Sequence, residues 1–344
     1  MRVKIATRTD WPSFKNIATM IEKALKSTCT CTVHDWRSVR PGGNILFIDT
    51  VHVQALRFLR TLLPESNVVF YGTTEGLSRL DPESLAVTRQ LSIVAVSNFV
   101  KQMLEQVGVP VCGVIHHALD MNDRRVDIGF YNRWKQRMKN KTVILTVSAN
   151  HARKGLDRLL QAYKTLEEQT QQVFLIIHSQ KAGYYNLERK AKELKIKRLW
   201  LTNLFGRMTQ PRLNALYKLC SVYVQPSFSE GFGLPILEAF RFDKPVIAVD
   251  APPFNEIILQ GESGLLVRQD DVRWFNFENS IDFKMHIYEA DDLAQAIISL
   301  TNQNLLRKMR RNIQQEKWRW DAYRLYPRLL DYFTETCPET PKVM

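Results

Sequence analysis

Short apolar runs rich in β-branched residues alternate with amphipathic helical patterns along most of this chain, and the alternation limits the folds that it can adopt. Arg2–Thr7 is such a run, and a helical pattern over Phe14–Leu25 follows it. Strands that alternate with helices form parallel sheets with helices on both faces. The sequence therefore predicts an α/β fold with doubly wound parallel sheets.

The alternation runs through the chain twice. The first series ends in the charged stretch 120–141, and a second series begins at Thr142. A chain of 344 residues fits two domains of roughly 100–200 residues each. We predict doubly wound domains over residues 1–130 and 131–316, and a final helix over residues 317–344. Ligands of such folds bind beyond the carboxyl ends of the parallel strands, so we expect the site in the cleft between the domains.

The formal net charge of +13 is concentrated in the middle of the chain. The densest basic runs are 133–141 (RWKQRMKNK) and 189–198 (RKAKELKIKR). Three interpretations stay open: solvated helix faces, attraction of anionic ligands such as nucleotides, or peripheral contact with an anionic membrane surface. Nucleic-acid binding is disfavoured, because the sequence has no helix-turn-helix, zinc-finger or RNP-type motif.

Three features predict the compartment. No apolar run approaches the roughly 20 residues that span a bilayer, and the first residues lack the apolar segment of a secretory signal. The five cysteines form no CxxC pair, which indicates reduced thiols. We therefore predict a cytoplasmic protein, with peripheral contact at the inner membrane surface left open.

Residues 225–250 (QPSFSEGFGLPILEAFRFDKPVIAVD) carry the pattern with most chemical content. An apolar strand pattern leads into a glycine-containing loop with Glu230, and Pro235 then suits the first turn of a helix. Backbone amides of such a loop and of a helix N-terminus can bind an anion. Glu238 lies one turn along, about 5 Å beyond the helix start. The two carboxylates can flank a bound phosphate; alternatively, Glu230 binds turn amides and Glu238 is a surface residue.

The same segment resembles a known family. EGFGLPILEAF, with Glu230 and Glu238 eight positions apart, resembles the E-x7-E segment of glycosyltransferase family 4 (glycosyl transferases group 1), retaining enzymes of the two-domain GT-B fold. Four more stretches resemble segments of that family, in the family's order: Ile93–Asp120, Val147–Ala162, Leu204–Ser227 and Ala251–Val267. The resemblance is weak over residues 1–90.

The resemblance implies the following fold and reaction. Two Rossmann-like domains face a central cleft, the N-terminal domain binds the acceptor, the C-terminal domain binds the nucleotide-sugar donor, and the last helix returns to the N-terminal domain. The expected reaction moves a sugar from a UDP- or GDP-sugar to an acceptor hydroxyl with retention of configuration. We expect no other cofactor, and no metal, since the sequence has no Asp-x-Asp motif.

The resemblance also implies roles for individual residues. Lys154, with Arg153 beside it, would stabilise the charge that develops on the leaving diphosphate. Glu230 would hold a hydroxyl of the donor sugar. The remaining implied donor-binding residues are Ser148, Asn150, Gly231, Phe232, Gly233, Leu234, Glu238 and Glu256. Candidates for the acceptor side of the cleft are His52, Thr74, Glu75 and His116.

Two features depart from the family pattern. Family members often carry an arginine about six residues before the Lys-Gly pair, where this chain has Ser148, and our hypothesis is that Arg153 supplies that charge. No glycine-rich loop follows the first strand. Two alternative functions therefore stay open: a catalytically weak or inactive sugar-nucleotide-binding scaffold, and a sugar phosphorylase on the same fold. The acceptor, whether glycan, lipid-linked, protein or small molecule, is not predicted.

Overall fold

The computed structural model describes residues 1–180 and 183–334, and its strands form two parallel sheets and one small antiparallel sheet. The strands of the N-terminal half are β1 (Arg2–Thr7), β2 (Thr30–Asp35), β3 (Gly43–Thr50), β4 (Ser66–Thr73), β5 (Gly76–Ser78), β6 (Ser92–Ala95) and β7 (Gly113–Val114). Those of the C-terminal half are β8 (Thr142–Val147), β9 (Val173–His178), β10 (Leu199–Leu201), β11 (Val222–Val224), β12 (Val246–Val249), β13 (Gly264–Val267), β14 (Asp271–Phe277) and β15 (Ile281–Ile287).

Helices connect most of these strands. They are α1 (Pro12–Leu25), α2 (Val53–Leu62), α3 (Pro82–Thr88), α4 (Asn98–Gln106), α5 (Ile128–Arg137), α6 (Leu156–Gln169), α7 (Leu187–Glu193), α8 (Gln210–Leu219), α9 (Leu234–Arg241), α10 (Phe254–Ile257), α11 (Ala290–Ser299), α12 (Gln303–Glu316) and α13 (Ala322–Leu325). Their packing follows the apolar periodicity: α1, for example, buries Ile17, Ile21 and Leu25, which lie on one face at four-residue spacing.

The two parallel sheets share one topology. The strand order is β2-β1-β3-β4-β6-β7 in the first sheet and β10-β9-β8-β11-β12-β13 in the second. Both sheets are covered by helices, and central residues such as Ile5 and Ile144 are fully buried. In each sheet the order reverses at the first strand, so a crevice opens at the carboxyl ends of β1 and β3, and of β8 and β11. The prediction of two doubly wound domains is confirmed.

Helix α5 lies across the predicted domain boundary at residue 131. It begins at Ile128, and its Trp134 stacks on Trp200 of the second sheet with ring centroids 3.7 Å apart. The N–H of Asp127 donates to the Pro211 carbonyl at 3.0 Å. The C-terminal half therefore begins at about residue 127.

The end of the chain returns to the N-terminal half. Leu119 forms a parallel bridge with Asp321, and the Tyr326 hydroxyl both accepts from the N–H of Ala118 and donates to its carbonyl. The segment is not one long helix, because α13 is followed by a 3-10 helix over Tyr326–Phe333 that contains Pro327. Residues 335–344 of the predicted final helix lie outside the described residues.

The antiparallel sheet was not predicted from the sequence. Strands β14 and β15 form a hairpin whose turn contains Glu278 and Asn279, both at positive φ (48° and 52°), as tight hairpin turns require. Strand β15 then pairs with β5 of the N-terminal half, in the order β14-β15-β5. One sheet therefore contains strands from both halves of the molecule.

Two compartment-related expectations can be compared with the structure. Cys112 takes part in a disulfide, so the prediction of reduced thiols is wrong for this residue, whereas Cys29, Cys31 and Cys220 are free. Among the helices of residues 1–180 and 183–334, none has both the length and the apolar character needed to cross a bilayer.

Candidate functional site

The candidate site lies where β8 and β11 end side by side. The loop after β8 contains Arg153 and Lys154, and the loop after β11 contains Glu230. Gly155 allows these loops to touch: its φ is +59°, and a Cβ there would lie 2.1 Å from the Pro226 carbonyl oxygen. A larger residue would push the loops apart, so the glycine brings the cations to the carboxylate.

Glu230 is the centre of this site. Its side chain accepts hydrogen bonds from Lys154 Nζ at 2.5 Å and from Arg153 Nη1 at 3.0 Å. Ser227 Oγ and Gln225 Nε2 donate to the same carboxylate at 2.8 and 2.9 Å. Burial alone would raise the pKa of Glu230, but the charges of Lys154 and Arg153 hold that pKa at about 2. Glu230 is therefore an anion at neutral pH.

Arg153 connects the two halves of the molecule. Its Nη2 donates to the carboxylate of Glu75 at 2.6 Å, and its Nη1 donates to the Ser229 carbonyl at 2.9 Å. The guanidinium carbon lies 5.4 Å from the ring centroid of Phe283, in cation–π contact. Glu75 comes from the N-terminal half, so this ion pair spans the cleft.

Lys154 completes a cluster of two cations and two carboxylates. Burial and the neighbouring charge of Arg153 lower the pKa of Lys154, while Glu230 opposes that change. The formal charges of Lys154, Arg153, Glu230 and Glu75 balance. A bound anion would compete with the two carboxylates for the same two cations.

The N-terminus of α9 lies four residues beyond Glu230, although Pro235 has no N–H and the N–H of Ile236 donates to the Gly233 carbonyl at 2.9 Å. Gly233, at φ +105°, precedes the helix, and no side chain caps its first turn. The first N–H groups of a helix have no partner within the helix and favour anions. Glu230, one turn earlier in the loop, and α9 thus lie next to each other, as the sequence predicted.

Two other residues of the loop contact the N-terminal half. A Cβ on Gly231 would lie 2.2 Å from Thr73 Oγ1, and the Gly231 carbonyl accepts from Ser97 Oγ at 2.7 Å. Phe232 is buried against the rings of His117 and Trp320. The side chain of Phe232 therefore packs between the halves, and only its backbone is left to serve the predicted donor-binding role.

Glu238 lies half-buried on α9. Tyr217 donates its hydroxyl hydrogen to Glu238 Oε2 at 2.5 Å, and burial raises the pKa of this carboxyl in spite of that bond. Leu234, the first residue of α9, is also half-buried. The predicted contacts of both residues with the donor stay predictions.

Ser148 and Asn150 make contacts within their own domain. Ser148 Oγ donates to the Ala149 carbonyl at 3.0 Å. The Asn150 side chain accepts from the N–H of Tyr185 at 3.0 Å and donates to the Tyr185 carbonyl at 2.7 Å. Asn150 therefore holds a neighbouring loop, and donor binding by either residue stays a prediction.

Glu256 and His116 meet across the two halves. Glu256 accepts from the backbone N–H groups of Asn98 and Phe99 at 2.9 and 2.8 Å, at the start of α4. His116 Nε2 lies 3.1 Å from the same carboxylate. Glu256 was predicted on the donor side and His116 on the acceptor side, and the structure uses both to join the halves.

A second charged cluster lies at the carboxyl ends of β1 and β3. Arg8 Nε donates to Asp49 at 2.8 Å, and Arg8 Nη2 contacts His52 Nε2. His52 also caps α2, since its Nδ1 accepts from the N–H of Ala55 at 3.1 Å. Burial and the charge of Arg8 lower the pKa of His52 to about 4, so this histidine is neutral at pH 7.

The other predicted acceptor-side residues divide into two groups. Glu75 reaches the site through Arg153, whereas Thr74 is fully buried and donates to the Gly76 carbonyl at 2.8 Å. Thr74 therefore stabilises the backbone beside the cleft.

Sequence reasoning missed several contributors to the site. Gln225 and Ser227 hold Glu230 by hydrogen bonds. They could have been found from the sequence, because both are polar residues that lie between a buried strand and the carboxylate. Phe283 was missed because the hairpin was not predicted, although VRWFNF and IDFKMHI flanking ENS is a hairpin pattern. Arg8 and Asp49 were missed, although each lies where a parallel strand ends.

The described residues contain no group of three His, Cys, Asp or Glu side chains placed to hold a metal ion. Metal independence itself stays a prediction.

Comparison with known proteins gives a family match over part of the chain. Residues 131–285 match the family model "Glycosyl transferases group 1". An uncharacterized glycosyltransferase of Sulfolobus islandicus rod-shaped virus 1 is 22% identical over 268 residues, which cover 76% of this chain and 79% of that protein. O-antigen chain mannosyltransferase B of Escherichia coli is 33% identical over 134 residues, but these cover 37% of this chain and only 33% of that protein.

Solved structures match nearly the whole chain. The crystal structure of Anabaena HepE in complex with UDP and glucose superposes with a TM-score of 0.74, covering 96% of this chain and 98% of that one, at 15% identity. This likeness confirms the GT-B fold. The family match covers residues 131–285 and so includes Lys154 and Glu230.

Proposed function

We propose that this protein is a retaining, metal-independent glycosyltransferase that moves a sugar from a nucleotide-sugar donor to an acceptor hydroxyl. The observation that carries the proposal is the convergence of Lys154 and Arg153 on Glu230, which lies four positions before the uncapped N-terminus of α9. Two fixed cations and a helix N-terminus can bind a diphosphate without a metal ion.

Donor binding would rearrange the hydrogen bonds of the charged cluster. The diphosphate would accept hydrogen bonds from Lys154 and Arg153, which now donate to Glu230 and Glu75. Glu230 would keep its position, because Gln225 and Ser227 also hold its carboxylate. One of its oxygens would then be released to bind a hydroxyl of the donor sugar.

In the reaction the anomeric carbon would lose its bond to the phosphate oxygen, and the electron pair of that bond would go to the nucleoside diphosphate. Lys154, Arg153 and the partial positive charge at the N-terminus of α9 would stabilise the added negative charge. The acceptor oxygen would bond to the anomeric carbon from the face that the phosphate leaves. Its proton would pass to the departing phosphate, so that retention needs no protein base.

UDP- and GDP-sugars are the donors that we propose. UDP is supported by the HepE complex, whose fold this chain shares, and mannosyltransferase relatives show that sugar transfer occurs among similar sequences. We place the acceptor on the side of Arg8, Asp49 and His52, which lie at the carboxyl ends of β1 and β3. The protein would act in the cytoplasm, with its basic middle third available to an anionic membrane surface.

A donor screen tests the proposal. The purified protein is incubated with UDP-, GDP-, ADP- and dTDP-sugars in the presence of a chelator, and nucleoside diphosphate release is measured. We expect slow hydrolysis of one donor that is lost in Glu230→Ala and Lys154→Met but kept in Lys164→Met, whose lysine pairs with Glu168 on the surface of α6. NMR of the released sugar checks retention of configuration. If no donor is bound or hydrolysed, the proposal is wrong.

A further inference from the structure

The hairpin of β14 and β15 crosses from one half of the molecule to the other. It follows β13 in the C-terminal half, yet β15 pairs antiparallel with β5 in the N-terminal half. The paired residues are Ile281 with Ser78, Asp282 with Leu77, and Phe283 with Gly76. Backbone hydrogen bonds therefore join the two halves, in addition to side-chain contacts.

Side chains at the end of this pairing add a specific contact. Arg79 donates from Nε and Nη2 to the two oxygens of Asp282 at 2.9 and 3.0 Å. The N–H of Arg79 also donates to the Ser280 carbonyl at 2.9 Å. A bidentate arginine–carboxylate pair fixes orientation as well as distance, so it sets the register of β15 on β5.

The inner face of the hairpin packs on the candidate active site. Phe283 is only 4% exposed and lies against Arg153 and the ring of His151. The N–H of His286 donates to the Phe228 carbonyl at 2.8 Å, which ties β15 to the loop that leads to Glu230. The hairpin thus contacts both loops of the site and the opposite half at once.

We propose that residues 271–287 form an interdomain clasp, which closes the cleft when β15 adds to the edge of β5 and which positions Arg153 between Phe283 and Glu75. Phe283 is then a positioning residue that acts on the donor through Arg153. The clasp itself rests only on the contacts described; its effect on donor binding rests on the proposed function. Strand addition suits this role, because its backbone hydrogen bonds form together and in one register.

Glu75 links the pairing of β5 with β15 to the position of Arg153 in the candidate site. This residue directly precedes β5, and its backbone carbonyl accepts from Ser229 Oγ at 2.6 Å while its carboxylate holds Arg153. Separation of β5 from β15 would carry Glu75 away, so that the guanidinium of Arg153 would no longer be held in one orientation at the site before the donor arrives. The open form should therefore bind a nucleotide more weakly.

A substitution that adds one carbon atom between β5 and β15 tests the clasp. Gly76→Ala would place a Cβ 1.9 Å from the carbonyl oxygen of Asp282, so that β15 must move away. The matched control is Gly129→Ala in α5, where the nearest atom would be 3.7 Å away. Small-angle X-ray scattering of the ligand-free proteins should show a larger radius of gyration for Gly76→Ala than for the wild type and the control. Equal radii for all three proteins would overturn the clasp.

A charge reversal provides a second, milder variant. Arg79→Asp should open the cleft, and combining it with Asp282→Arg should restore the wild-type radius of gyration. Arg57 and Asp81, an exposed pair within the N-terminal half, provide the matched control, since Arg57→Asp should leave that radius unchanged. Failure of the double reversal to restore closure would contradict the proposed register contact.

Nucleotide binding separates the two proposals. We expect Gly76→Ala and Phe283→Leu each to raise the Kd for UDP or GDP about tenfold. Phe275→Leu, on the outer strand β14, should have a smaller effect. Phe283→Leu should raise KM for the donor more than it lowers kcat. If Gly76→Ala opens the protein but the wild type binds no nucleotide, the clasp stands and the proposed function fails. If donor turnover is normal in all these variants, the positioning role of Phe283 is wrong.

Discussion

Two charged clusters occupy equivalent places in the two sheets of this protein. One contains Lys154, Arg153 and Glu230 at the ends of β8 and β11, and the other contains Arg8, Asp49 and His52 at the ends of β1 and β3. Both lie at the point where the strand order reverses. Equivalent topology has thus placed ionisable groups on both sides of the cleft.

The clusters differ in what they leave open to a ligand. After β11, helix α9 begins at Gly233 without a side-chain cap, whereas after β3 the side chain of His52 caps helix α2. The C-terminal cluster has two cations near one carboxylate of its own half, while Arg8 is matched by Asp49. If the protein binds a nucleotide-sugar as we propose, this difference favours the C-terminal half as the part that holds the diphosphate, with Glu75 contributed by the N-terminal half.

Removal of one cation from the C-terminal cluster should have the largest effect. We expect Lys154→Met to lower the rate of donor hydrolysis by about 100-fold to 1,000-fold, because it removes a charge aimed at the leaving group. Steady-state kinetics against Lys164→Met checks this prediction. A loss of less than about fivefold would show that Lys154 does not face the diphosphate.

Acid should destabilise the C-terminal cluster. The pKa of Glu230 is lowered to about 2, so its contribution to stability is full above the unfolded-state pKa of about 4.3 and is lost as the pH falls towards 2. Between pH 6 and pH 3 we expect Glu230 to account for about 2 kcal/mol of the lost free energy of unfolding. Urea unfolding at pH 6 and at pH 3 measures this loss of the free energy of unfolding. The wild type should lose more stability than Glu230→Gln, and parallel losses would contradict the proposed pairing.

The approach of the two C-terminal loops can be tested with a pair of glycines. Gly155 and Gly108 both have positive φ, but only at Gly155 would a Cβ meet backbone, the Pro226 carbonyl. Alanine at either position adds backbone strain of about 1 kcal/mol. In addition, we expect Gly155→Ala, but not Gly108→Ala, to weaken nucleotide binding about tenfold. Calorimetry measures this difference. Equal nucleotide affinities for the two variants would mean that the loop contact does not matter.

The smallest effects are expected in the N-terminal cluster. His52→Ala removes the cap of α2 and should lower the free energy of unfolding by about 1 kcal/mol. Because neither nitrogen of His52 contacts the C-terminal cluster, donor hydrolysis should change by less than about threefold. Thermal unfolding and the hydrolysis assay together check this. A large loss of hydrolysis with unchanged stability would indicate that His52 contacts the donor.

The sequence predicted the features that depend on neighbouring residues. The loop of Glu230, the glycine before α9 and Pro235 lie within six positions, so local backbone preferences determine their arrangement. The Lys154–Gly155 pair was found from the family resemblance of the segment Val147–Ala162. The doubly wound architecture followed from apolar periodicity, which the buried strands confirm.

The features that were missed depend on contacts between distant parts of the chain. β5 and β15 are about 200 positions apart in the sequence. The strand Gly76–Ser78 is so short that its sequence does not indicate which strand pairs with it. Arg8 and Asp49 meet only because β1 pairs with β3. Glu256 was assigned to the donor from its place in a motif, and its bond to the start of α4 could not be read from local sequence.

Nucleotide binding without metal tests the central claim most directly. Calorimetry with UDP and GDP, in the presence of a chelator, would compare the wild type with Lys154→Met and Arg8→Ala. We predict that one nucleotide binds the wild type, that Lys154→Met weakens this binding by about 100-fold, and that Arg8→Ala changes it by less than about threefold. If Arg8→Ala weakens binding as much as Lys154→Met, the diphosphate is not held by the C-terminal half, and our assignment of the two clusters is wrong.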